Sequence, residues 1–303
     1  MGKWVIETDN LTFGYNKRTT VFDKINLRVE TAAIYGFMGP NGAGKTTLIR
    51  LLLGLLPHHT GGIMLFGKPL KGHRLEILSK TGCLVEQPSL YENLTGRDNL
   101  SITCMIRGLQ KDSIDRVLHM TGLRDAANKR VDAYSQGMKQ RLGLAIALLP
   151  QPELLILDEP VNGLDPLGII EIRELLIHLN KEYGTTIFLS SHLLSELEKL
   201  VTHTGILRKG ELIFQGSAAE LEAIQQQQST VMINTDNNQG CLQLLKQDYP
   251  AVSLVADRLH VPYEDKETIG DLCQRMVLAG FRLYEVKTGD HDLENIFMKL
   301  TSN

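Results

Sequence analysis

Gly39-Pro40-Asn41-Gly42-Ala43-Gly44-Lys45-Thr46 is the stretch on which the reading of this sequence turns. It matches G-x-x-x-x-G-K-[ST]. The apolar run Ile34–Met38 before it reads as a strand, and Lys45–Leu53 after it shows Leu and Ile at helical spacing. Gly42 and Gly44 permit the dihedrals that turn successive backbone N–H groups toward one anion. The helix that follows points its positive end at the same place. Gly39, Pro40, Asn41, Gly42, Ala43, Gly44, Lys45, Thr46 and Thr47 are therefore expected to cradle phosphate. Lys45 supplies a point charge for β and γ phosphates, and the Thr46 hydroxyl is placed to ligate Mg²⁺.

Working outward, the chain alternates strands and helices. Trp4–Val29 reads as antiparallel strands, and further strand-like segments recur at Ile63–Phe66, Cys83–Val85, Leu154–Leu157 and Thr186–Ser190. Helical patterns between them predict an α/β domain with a largely parallel sheet. Arg97–Gly108, Asp112–Gly122 and Gly137–Leu149 all read as helices, which predicts a helical insertion over about residues 96–150. The glutamine run Gln225–Gln228 reads as a helix end and linker. Residues 1–228 are then one domain and 229–303 a small α+β unit. That unit has strands at Val231–Asn234, Ser253–Val255, Arg258–Val261 and Phe281–Val286, and helices at Cys241–Tyr249, Thr268–Leu278 and Leu293–Leu300.

Two further strands carry polar ends. Leu154-Leu155-Ile156-Leu157-Asp158-Glu159 is a hydrophobic run, as a strand buried on both faces should be, closing on paired carboxylates. At the carboxyl edge of the sheet Asp158 can hold Mg²⁺ and Glu159 can polarise an attacking water. Thr186-Ile187-Phe188-Leu189-Ser190-Ser191-His192 repeats the design, and puts His192 within reach of the γ-phosphate and that water.

Bulk properties narrow the partners. Of 303 residues, 43% are hydrophobic and 22% charged, as in ordinary globular proteins. A net charge of −3 and a pI near 6.3 give no basic field for nucleic acid. Cys83, Cys104, Cys241 and Cys273 form no CxxC pair, which predicts free thiols in a reducing compartment. Ile49–Leu56, interrupted by Arg50, falls well short of the roughly 20 apolar residues that cross a bilayer. Met1-Gly2-Lys3-Trp4 shows no secretory h-region, so any membrane role is expected to require a partner.

Tyr134-Ser135-Gln136-Gly137-Met138-Lys139-Gln140-Arg141 resembles the signature of ABC-type ATPases, commonly Leu-Ser-Gly-Gly-Gln; Ser135 and Gly137 match, while Tyr134, Gln136 and Met138 depart. The order of phosphate loop, signature, paired carboxylates and His, over about Trp4 to Leu221, identifies the chain as similar to that family. The resemblance implies a P-loop NTPase core with an antiparallel N-terminal β-lobe, ATP and Mg²⁺ as cofactors, and an ATPase working as a homodimer or as a heterodimer with a related chain. In it, Ser135, Gln136, Gly137 and Met138 of one subunit contact the γ-phosphate held by the other. It implies that Tyr15 stacks on adenine and that Asp165, in Asn162-Gly163-Leu164-Asp165, couples the two sites. It further implies transmembrane permease partners, no nucleic acid, and a peripheral place on the cytoplasmic face of the cell membrane.

One departure points to a subgroup. The position where most such ATPases carry a Mg²⁺-touching Gln falls on Glu86 when Pro88 anchors the alignment, with Gln87 next; a one-residue shift would give Gln87 the usual task. A Glu there resembles the ATPases of bacitracin- and lantibiotic-type peptide exporters. That makes Glu86 a further expected Mg²⁺ ligand and both residues coupling elements. An exporter of another cargo, such as a drug or lipid, and a soluble non-transport ABC ATPase stay open.

Overall fold

The computed structural model describes residues 3–16, 19–57, 60–192, 199–227, 230–246, 248–262 and 265–288. The chain divides into two units, Met1–Gly216 and Ser217–Asn303.

In the first unit β1 (Trp4–Asn16), β2 (Thr19–Ile25) and β3 (Arg28–Glu30) precede β4 (Ile34–Met38) and α1 (Lys45–Leu52). Then come β5 (Thr60–Leu65), β6 (Lys68–Pro69), α2 (Leu70–Ser79) and β7 (Thr81–Leu84). The insertion follows: α3 (Gly96–Arg107), α4 (Asp112–Met120), a 3-10 turn at Val131–Ala133, and α5 (Gln136–Leu148). β8 (Leu154–Asp158), α6 (Pro166–Tyr183), β9 (Thr186–Ser191), β10 (His203–Arg208) and β11 (Glu211–Ser217) complete it.

Six strands form one sheet in the order β11-β10-β4-β9-β8-β7, and β10, β4, β9, β8 and β7 pair in parallel. Every residue of β4, β8 and β9 is buried. Their near-continuous apolar runs follow from being covered on both faces. A second, antiparallel sheet runs β2-β1-β5-β6, with β3 also on β1.

The expected grouping of Ile63–Phe66 with the parallel strands is corrected here: β5 pairs antiparallel with β1, Ile6 opposite Leu65 and Thr8 opposite Ile63. Its burial alternates, with Ile63 and Leu65 inside and Met64 outside, as a strand covered on one face requires. β10 and β11 carry no run that singled them out in the sequence.

The insertion has the anticipated helical character. Thr95 and Asp98 form a capping box at the start of α3, and the hydroxyl and N–H of Thr95 hold the Asp98 carboxyl below the usual carboxylate range. α5 lies close against the sheet because Gly143 has no side chain: a Cβ there would stand 2.6 Å from Cβ of Pro88 and 3.0 Å from Cδ1 of Leu84.

The second unit contains α7 (Ala218–Gln227), β12 (Thr230–Thr235), α8 (Asn238–Leu245), β13 (Ser253–Val255), β14 (Arg258–Pro262), α9 (Lys266–Leu278) and β15 (Leu283–Thr288). Its sheet, β13-β14-β12-β15, is antiparallel and covers a core of its own built on Val231, Ile233, Leu245, Leu259, Leu272 and Met276. The division at Gly216 falls ahead of the glutamine run. Ser217 and Glu220 exchange hydrogen bonds at the start of α7, Glu220 N to Ser217 Oγ at 3.1 Å and Ser217 N to Glu220 Oε2 at 2.7 Å. The glutamines, good helix formers, extend that helix to Gln227. The helix expected at Leu293–Leu300 lies outside the described residues. All four cysteines are free thiols. Among the described residues no helix is long and apolar enough to cross a membrane.

Candidate functional site

Sheet register brings the polar strand ends together. Met38 of β4 lies opposite Ser191 of β9, and Asp158 of β8 lies opposite Ser190 of β9. The residues just beyond these strands, Gly39, Glu159 and His192, therefore emerge side by side at one edge of the parallel sheet.

The phosphate loop leaves β4 and enters α1 through Gly44, whose φ of 108° is open to glycine and costly for other residues. A Cβ there would also stand 2.7 Å from the Phe22 ring, because β2 folds over the loop. No side chain caps the start of α1, so its first N–H groups face the loop's hollow. The Lys45 side chain is 6% exposed; its ammonium donates to Gly39 O at 2.9 Å and Pro40 O at 3.4 Å, and lies 3.4 Å from Glu159 Oε1. A buried ammonium needs such partners. Tyr15, 57% exposed, rests edge-on against Phe13 at 5.1 Å, and its hydroxyl lies 3.1 Å from Thr47 Oγ1. That leaves a ring face available for stacking.

Glu159 occupies the left-handed region at φ 49°. Such backbone strain in a non-glycine residue persists only where surroundings hold it. Here its N–H donates to Ser190 O at 3.2 Å and Ser190 Oγ at 3.1 Å. The same hydroxyl donates to Asp158 Oδ1 at 2.5 Å, so Ser190 orients both carboxylate residues. Sequence reasoning included Ser190 only as a strand end; its signal was a hydroxyl at the last turn of an apolar run. The other oxygen of Glu159, Oε2, meets His192 Nδ1 at 2.8 Å and accepts from His192 N at 3.3 Å.

A cavity of about 550 Å³ draws most of these groups together; Gly39, Pro40, Ala43 and Asp158 do not line it. Tyr15, Asn41, Gly42, Gly44, Lys45, Thr46, Thr47, Glu159 and His192, all expected from sequence, line it; Val21 and Asn162 join them. Among the described residues no group of three or more His, Cys, Asp or Glu could hold a metal. The oxygen donors to weigh are the Thr46 hydroxyl, which lines the cavity, and the Asp158 carboxylate at the end of β8, which does not. Asp158 is 2% exposed and, among the described residues, no Lys or Arg pairs with it. A small hard-oxygen set beside a phosphate cradle fits Mg²⁺, which takes few protein ligands and fills its shell from phosphate and water.

Ser135, Gln136, Gly137 and Met138 do not line this cavity. Ser135 caps α5, its Oγ accepting from Met138 N at 3.3 Å. The preceding Tyr134 explains one departure from the common signature: its phenol donates to Ala126 O at 2.7 Å and fills the space above Gly96, so it anchors the signature within the insertion. Burial pushes that phenol's pKa up. Asp165 caps α6, accepting from Gly168 N at 2.9 Å.

Glu86 and Gln87 part company. Glu86, at φ 60°, turns its carboxylate to Arg50 at the end of α1 and, like Asp158, does not line the cavity. Gln87 Oε1 accepts from Gln136 Nε2 at 3.0 Å, which joins the segment after β7 to the signature. Arg50 was not anticipated, because its partner comes from a distant segment.

Residues 22–162 match the ABC transporter family. The bacitracin transport ATP-binding protein BcrA of Enterococcus faecalis is 39% identical over 98% of this chain and 96% of its own length. BcrA of Bacillus licheniformis is 41% identical over 98% of this chain and 97% of its own. The chain belongs to the ABC transporter ATP-binding proteins. The lantibiotic transport ATP-binding protein SrtF of Streptococcus pyogenes is 39% identical over 70% of this chain and 90% of its own length. Among solved structures, cbiO1 of Clostridium perfringens, part of the ABC transporter complex cbiONQ, superposes with a TM-score of 0.68 at 25% identity, over 82% of this chain and 97% of its own. The dimeric ATP-binding cassette MJ0796, in a post-hydrolysis state with ADP and Pi, shares the fold at a TM-score of 0.64 and 22% identity, over 70% of this chain and 98% of its own. As an ABC ATPase this chain binds and hydrolyses ATP, and ATP-binding subunits of ABC transporters dimerise and join permease components.

Proposed function

We propose that this ABC ATPase powers export of an antimicrobial peptide of the bacitracin or lantibiotic kind, held to the cytoplasmic face of the membrane by separate permease subunits. The observation that carries this reading is the likeness to BcrA across 98% of the chain, second unit included, rather than across the ATPase core alone.

In this reading Tyr15 stacks on adenine and the loop from Gly39 to Thr47 wraps the triphosphate. Thr46 and Asp158 would hold Mg²⁺, which when bound offsets phosphate charge. Lys45 stabilises the transferring phosphoryl group. Glu159 takes the proton from the attacking water, with its carboxylate aimed by the two hydrogen-bonding contacts of His192. Ser135 and Gly137 of a second ATPase subunit, identical or related, close the γ-phosphate side. Asp165 and the segment from Glu86 to Glu92 relay closure to the permease; Glu86 through Arg50, Gln87 through Gln136, and Glu92 through Lys139 at 2.5 Å.

Deleting the chain from its host should lower the inhibitory concentration of bacitracin or of a lantibiotic several-fold. The unaltered chain should restore it, and Glu159→Gln should not. A deletion strain as resistant as its parent to a panel of such peptides would reassign the cargo.

A further inference from the structure

The parallel sheet carries a second cavity at its opposite edge. A cavity of about 600 Å³, as large as the nucleotide cavity, opens where β8 and β9 begin, at Glu153, Thr185 and Thr186. The nucleotide residues lie beyond the other ends of the same strands. At about 3.3 Å per residue, the length of β8 separates the two cavities by roughly 13 Å, so this is no extension of the nucleotide site.

Its lining has a definite chemistry. Trp4, Phe66 and Tyr183 contribute aromatic rings, and Lys80, Arg116 and Glu153 line the same cavity, two cations with one carboxylate. Lys80 accounts for Glu153, at 2.9 Å, and its ammonium also sits 5.7 Å from the Phe66 ring. Arg116 remains as the surplus cation. One guanidinium nitrogen donates to Leu149 O at 3.0 Å at the end of α5, and the half-buried side chain makes no ion pair among the described residues. Arg116 also borders a smaller cavity of about 330 Å³. That one is lined by no aromatic ring, so the larger cavity alone offers both an apolar body site and a charge.

We infer that this edge is a second ligand site, which takes a small molecule with an aromatic or branched apolar body and one acidic group directed to Arg116. The aromatic rings bury the body and the surplus guanidinium fixes the acid. Arg116 and Met120 of α4 and Leu148 of α5 form the insertion's side of the wall. A ligand there touches the far end of the helix that begins at the signature, so its occupancy bears on how α5 sits against the sheet.

The test uses the full chain and 8-anilinonaphthalene-1-sulfonate, an aromatic body with one sulfonate, followed by fluorescence. Expected are saturable binding at one site per chain, about tenfold weaker binding with Arg116→Gln, as for loss of a charge-assisted bond, and weaker binding with Met120→Trp, which sets a bulkier ring into the cavity wall. Saturating ADP should leave the titration unchanged. The uncharged N-phenyl-1-naphthylamine should bind the unaltered chain at least tenfold more weakly, a readout that survives if a variant fails to fold. Unsaturable binding, displacement by ADP, equal affinity for the uncharged probe, or folded variants that bind like the parent would each overturn the site.

Discussion

The start of α1 and the start of α5 present the same feature, the exposed N–H groups of a helix terminus, in different company. α1 begins at Gly44 without a side-chain cap, beside a buried Lys45 and the Glu159–His192 pair. α5 begins at Ser135, whose hydroxyl caps Met138 N, with Gln136 tied to Gln87 and Lys139 to Glu92. The first has the charge, the carboxylate and a cavity. The second is braced from behind and does not line that cavity. On the function proposed above, the α5 terminus supplies one half of a composite site, which is why a second polypeptide would be needed to turn over ATP.

The comparison can be broken at either end. Glu159→Gln should bind ATP normally while turnover falls by about a hundredfold or more, the scale of a lost general base; phosphate release measured beside nucleotide binding checks it, and unchanged turnover would remove Glu159 from that role. Ser135→Arg should abolish hydrolysis equally while each monomer still binds nucleotide. If the working pair is homomeric, mixing Ser135→Arg chains with Glu159→Gln chains should restore measurable turnover, because one of the two composite sites then has both intact halves. Failure of the mixture would argue for a heteromeric pair or against sharing. Ser190→Ala removes the hydroxyl that joins Asp158 to the Glu159 backbone. A hydrogen bond to a charged group contributes about 1.5–3 kcal/mol, so turnover should fall by about tenfold to a hundredfold. ATP affinity should change less than turnover; a larger loss of affinity would make Ser190 a binding residue.

Legibility followed burial. The strands that carry the site are inside on both faces, so they show as apolar runs with polar ends: Ile34–Met38, Leu154–Asp158 and Thr186–Ser191. β5 was legible as a strand but not as a member of the antiparallel sheet, because four residues of alternating burial do not name their partner. Glu86 and Gln87 were legible as a pair. Which one faces Arg50 and which faces Gln136 depends on a backbone turn at φ 60° that the letters do not encode.

The phosphate loop, the paired carboxylates, the His and the signature-like stretch can be picked out of the letters alone, since each is a local pattern of neighbours along the chain. Tertiary structure alone decided that Ser190 serves both carboxylates, that Tyr134 braces the signature, and that Trp4, Phe66, Arg116 and Tyr183 surround one cavity. Those groups come from segments far apart in the chain, and only parallel strand pairing and helix packing bring them within hydrogen-bonding or van der Waals range.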